Sequence, residues 1–115
     1  MTQPLWSVSI IEEVCKEYKR ALPRTRWIQR ERKSSSGVYY PHNKTMVLCL
    51  GRDGYDHLQI FLHELSHHLV SRRRKVGHNK KFWVTLKALL IRYDCYTEEF
   101  VKREHNYKGK AQLYL

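Results

Sequence analysis

The chain has 115 residues, the size of one domain. Its hydrophobic share of 42% supplies a core without staples and excludes a disordered chain. Twenty-two Lys and Arg against eleven Asp and Glu leave a formal charge of +11, a field that attracts polyanions such as DNA or RNA.

No apolar run nears the roughly 20 residues of a membrane span. The segment Met1 to Trp6 lacks a basic start followed by an apolar stretch, so a soluble, cytoplasmic protein is expected. Cys15, Cys49 and Cys95 are odd in number and widely spaced. They read as buried free thiols rather than a disulfide framework or a zinc ribbon.

The first element expected is an amphipathic helix over Trp6 to Leu22. Val8, Ile11, Val14, Cys15 and Tyr18 recur at helical spacing, Ser7 is a candidate N-cap, and Pro23 stops the run. Three β-favouring runs follow: Trp27-Ile28, Val38-Tyr39-Tyr40 and Met46 to Leu50. Ser34 to Gly37 and Pro41 to Lys44 separate them as turns, which implies an antiparallel sheet of about three strands. Gly51 to Gly54 breaks the sheet. Asp56 and Gln59 then form a capping box for a helix with the core stripe Leu58, Phe61, Leu62, Leu65 and Leu69.

A basic loop runs from Ser71 to Gly77. Asn79 caps a further helix, with Phe82, Leu86, Leu89, Leu90 and Tyr93 inward, and Thr97 caps a last one reaching Tyr107. The fold class expected is therefore α+β. One domain over residues 1–107 holds an N-terminal helix, the small sheet, a motif helix and one or two C-terminal helices, and 108–115 form a tail.

The motif helix carries His63-Glu64-Leu65-Ser66-His67. Residues four apart lie on one helical face, so both imidazoles can reach one zinc at about 2.0–2.1 Å. Glu64 projects beside such a metal and suits a general base, because zinc lowers the pKa of its water toward roughly 7. His68 follows His67 directly and points about 100° away, off the metal face, which leaves it beside the site or on the surface. His42, His57 and His105, taken singly, read as surface or satisfied core residues.

A catalytic zinc takes three protein ligands and keeps one open position. His78, past the loop and just before the next helix, is the leading third ligand, with Gly77 permitting close approach. Glu98, Glu99 and His105 are the alternatives.

His63 to His67, followed by Gly77-His78-Asn79-Lys80-Lys81-Phe82-Trp83, resembles the SprT-like minimal metalloproteases, a family that includes Spartan-type proteases acting on proteins crosslinked to DNA. The resemblance covers the layout of residues 1 to 95, with its specific positions between His63 and Trp83. It implies a zincin core with His63, His67 and His78 on Zn2+, Glu64 as base, and Phe82 packed behind the metal helices. This chain lacks the cysteines of the zinc ribbon that many SprT proteins carry. Ser36 to Tyr40 is similar to ImmA/IrrE-type proteases, whose third ligand is often acidic. The short length resembles phage or mobile-element members of either group.

The expected function is hydrolysis of peptide bonds by Glu-assisted attack of zinc-bound water on a protein substrate, with DNA-associated proteins as the candidate class. Tyr39, Tyr40, Tyr93 and Tyr107 are candidate oxyanion donors. Either the Met46 to Leu50 strand or the one near Tyr39 would offer its edge to an extended peptide. Two rival readings are a basic nucleic-acid-binding module with a structural zinc, and a metal-dependent hydrolase of other substrates.

Overall fold

The N-terminal helix α1 spans Leu5–Glu17 and buries Ile10, Ile11, Val14 and Cys15. The structure, a computed structural model, describes residues 4–28, 37–49, 57–71, 77–107 and 110–115. The expected turn at Ser34 to Ser36, the break at Gly51 to Gly54, the Asp56 cap and the basic run Arg72 to Lys75 lie outside them.

α1 starts and ends earlier than its periodicity suggests. Pro4 occupies the N-cap, and Ser7 sits inside the first turn with its hydroxyl donating to the Pro4 carbonyl at 2.7 Å, so it is not the cap. At the other end Lys19 adopts φ 55°, and the Arg20 amide bonds the Cys15 carbonyl at 2.8 Å. This Schellman closure ends the helix well before Pro23. The α3 helix (Lys80–Arg92) ends the same way, with Asp94 at φ 55° and the Cys95 amide on the Leu90 carbonyl at 2.8 Å.

Strands β1 (Arg24–Ile28), β2 (Gly37–Tyr40) and β3 (Thr45–Cys49) form one sheet in the order β1-β3-β2. β2 and β3 are antiparallel as expected, Gly37 opposite Leu48 and Tyr40 opposite Thr45. β1 corrects the all-antiparallel expectation: it runs parallel to β3, Arg24 beside Thr45 and Ile28 beside Cys49. The physical reason is burial. Met46 to Cys49 are all buried, so this most apolar run takes the centre, where both of its edges are paired. β3 therefore has no edge for a peptide, and among the described residues β2 pairs on one side alone.

α2 (His57–Val70) buries Phe61, Leu62, Leu65 and Leu69 against the sheet. Trp6 of α1 meets Trp27 of β1 edge-on at 5.8 Å and Phe61 of α2 at 5.3 Å, which locks those three elements together. Gln59 also reaches across to another element. It donates to the Cys95 carbonyl at 2.9 Å and to Thr97 Oγ1 at 3.2 Å, tying α2 to the segment before α4 (Glu98–Tyr107).

Asn79 and Thr97 cap α3 and α4 as expected, accepting from the Phe82 and Phe100 amides at 3.0 and 3.2 Å. The C-terminal segment is part of the domain rather than a tail. It holds a short helix α5 (Ala111–Tyr114), and Ala111 and Leu115 enter the core. The three cysteines are free and buried. Among the described residues no helix is long and apolar enough to cross a membrane.

Candidate metal centre

Two consecutive helices build the site. α2 carries His63 and His67 one turn apart, and their ring centroids stand 5.1 Å from each other. The chain then returns, and His78 arrives just ahead of the Asn79 cap of α3, with ring centroids 5.2 Å from His63 and 4.8 Å from His67. One ligand nitrogen from each of the three lies within 4.8 Å of the others.

The Nε2 atoms of His63 and His78 are 3.2 Å apart. Two nitrogens at about 2.0–2.1 Å from one tetrahedral ion would be separated by about 3.3–3.4 Å. The three imidazoles therefore fit such an ion in chemistry, and the His63–His78 pair fits it in spacing. His67 is buried, whereas His63 and His78 are half-buried, so the cluster reaches the surface.

Two aromatic rings hold the imidazoles. Phe82 packs beneath all three, closest to His67 at 4.3 Å between centroids. Trp83 fixes His78 twice. Its indole N–H donates to the His78 carbonyl at 2.9 Å, and its ring stacks on the imidazole at 5.5 Å. Phe82 was legible as a core position. The fully buried Trp83 indole sets the third imidazole in place.

Glu64 is buried at 6% exposure. Its side chain lies against Gly37 at the start of β2: a Cβ on that glycine would meet Glu64 Cγ at 3.0 Å and Oε2 at 3.2 Å. Gly37, expected to serve a turn, instead makes room for the carboxylate.

His68 faces away from the metal ligands, as helix geometry requires, but it is neither on the surface nor beside the metal cluster. It is 3% exposed. Its Nδ1 accepts from the Tyr39 hydroxyl at 2.9 Å, and its Nε2–H donates to the Ala21 carbonyl at 2.7 Å. Burial holds its pKa below the usual histidine range. The Ala21 bond opposes that shift, while the nearby charges of Arg20 and Lys44 add to it.

The other candidates stand elsewhere. Glu98 and Glu99 are exposed on α4, with Glu98 3.5 Å from Lys102, and His105 lies further along the same helix. Among the described residues the metal-competent group is His63, His67 and His78. Of the tyrosines weighed as oxyanion donors, Tyr39 is committed to His68 and Tyr93 to Glu13 at 3.2 Å. Tyr40 is exposed on β2, 6.4 Å from His42, and the Tyr107 side chain lies outside the described residues.

No family model, no curated protein and no solved structure matches the chain.

Proposed function

We propose that the chain is a zinc-dependent peptidase of SprT-like type, with His63, His67 and His78 holding the ion and Glu64 carrying protons. One observation supports this above the rest: two imidazoles of α2 and one from the segment just ahead of α3 converge, and a buried carboxylate is adjacent in sequence to the first of them. Zinc bound there would supply a Lewis acid that acidifies water and polarises a carbonyl.

The chain's own groups carry the remaining steps. Glu64, seated against Gly37, accepts a proton from the attacking water and returns it to the departing amide nitrogen. β2 pairs only with β3 among the described residues, so its outer edge is open. An extended peptide added along that edge runs its backbone past Gly37 and Glu64. Action on DNA-associated proteins is the reading of the substrate that the charge of +11 favours.

A structural zinc generally takes four protein ligands, whereas a catalytic one takes three. The cluster supplies three among the described residues, which weighs against the nucleic-acid-binding module with a structural ion. Purified protein is expected to carry about one zinc per chain, and His78→Ala to lose most of it. Glu64→Gln is expected to keep the zinc and the fold and to lose cleavage of unfolded casein, by at least about a hundredfold. Undiminished cleavage by Glu64→Gln, or wild-type protein free of zinc after purification with zinc supplied, overturns the reading.

A further inference from the structure

The metal centre uses one side of α2. On the side marked by His68 lies a cavity of about 430 Å³ lined by Arg20, Ala21, Tyr39, Pro41, Lys44, His68 and Ser71. Three separate segments enclose it: the connection from α1 to β1, the end of β2 with its following turn, and the end of α2.

Its charge is one-sided. Among the described residues two cations line it and no carboxylate does. Elsewhere among the described residues Arg92 pairs with Glu13 and Glu17, and Lys102 with Glu98, but Arg20 and Lys44 form no ion pair. The buried floor cannot supply the missing negative charge. Tyr39 donates its proton to His68, and His68 spends its other nitrogen on Ala21, so both remain neutral. Burial also pushes the Tyr39 phenol pKa up, and Arg20 only partly offsets it. Arg20 and Lys44 line the same cavity as His68 and Tyr39.

α2 ends at Val70, so its C-terminal carbonyls present roughly half a negative charge near Ser71. Two full cations exceed that. Lys44 is held in the left-handed region at φ 52°, a conformation that non-glycine residues rarely take. Its carbonyl accepts from the Arg24 amide at 2.8 Å, which fixes the turn beside the cavity.

We propose that this cavity binds a phosphate group, with the Arg20 guanidinium, the Lys44 ammonium and the Ser71 hydroxyl as donors. A guanidinium matches two phosphate oxygens, and an ammonium adds a point charge. The phosphate belongs either to a free phosphate or to a nucleic-acid backbone, and both present the same oxygens. The site does not depend on the peptidase reading.

The test is an NMR titration of the full chain with inorganic phosphate and, separately, with a mixed-sequence single-stranded 20-nucleotide DNA. It compares wild type, Arg20→Gln/Lys44→Gly, and a charge-matched control, Lys102→Gln/Lys110→Gln. Saturable shifts are expected at Arg20, Lys44, His68 and Ser71, with affinity falling at least about tenfold in the first double variant and less than about twofold in the control. Lys44→Gly alone suits its backbone angle, so it keeps the test open if the double variant unfolds.

Response to inorganic phosphate assigns the free ion as a sufficient ligand. Response to the oligonucleotide alone assigns the backbone. Equal losses in both double variants, shifts confined to other residues, or no saturation with either probe overturns the proposal.

Discussion

Gly37 and Glu64 are packed so closely that a Cβ at position 37 would crowd the glutamate side chain. A Cβ there would stand 3.0 Å from Glu64 Cγ and 3.1 Å from the Val47 carbonyl oxygen. The carbonyl belongs to the paired centre of the sheet, so the glutamate is the partner that must move. Gly37→Ala is therefore expected to displace the carboxylate by a few tenths of an ångström. That reduces casein cleavage by roughly ten- to a hundredfold while zinc stays at about one per chain. Wild-type turnover in this variant would show that the glycine does not set the base.

Trp83 acts on the metal through His78. Replacing it with Phe removes the 2.9 Å bond to the His78 carbonyl and leaves a gap in a fully buried site. The expected result is a loss of about 2 kcal/mol of stability and a zinc affinity about ten- to a hundredfold weaker, read by competition with a chromophoric chelator. Unchanged zinc affinity with lowered stability would mean that Trp83 serves the core alone.

Tyr39 and His68 tie β2 to α2 on the side away from the metal. Tyr39→Phe keeps the ring and deletes the hydroxyl, leaving His68 Nδ1 buried without its donor. The cost is expected at about 1–3 kcal/mol, a fall of several degrees in Tm by calorimetry. A melting curve superimposable on wild type would show that the bond contributes nothing net.

Cys15 sets an alkaline limit. Burial pushes its thiol pKa up to about 11, against an unfolded value near 9. The folded state thus favours the neutral thiol. Its contribution is fully present below pH 9, and it is lost as pH rises toward 11, because the unfolded chain gains the thiolate first. Native protein at pH 8 is expected to resist alkylation at Cys15, and Cys15→Ala to flatten the fall of Tm between pH 9 and 11. A slope unchanged by Cys15→Ala would assign that limit to other groups.

Local rules made much of the site legible. The spacing of His63 and His67 fixes a shared helical face, and Asn79 marks where α3 begins, which places His78 at the mouth of a helical hairpin. What escaped was set by distant segments. Gly37 has the look of a turn residue until α2 brings Glu64 against it. The burial of His68 depends on Ala21 and Tyr39, 47 and 29 positions away. The ends of α1 and α3 depend on Lys19 and Asp94 taking left-handed angles that carry no glycine signal. Strand order was hidden because three short apolar runs pair equally well on paper, and burial of β3 on both sides decides among them.

The central place of β3 also governs when the sheet can exist. β1 and β2 come first along the chain, and among the described residues each pairs with β3 and not with the other. A nascent chain leaving the ribosome holds both flanking strands and still has no ladder until Thr45 to Cys49 emerge. α2, with the first two imidazoles, is made directly after that segment. The surface on which α2 rests is thus completed at nearly the same moment as α2 itself.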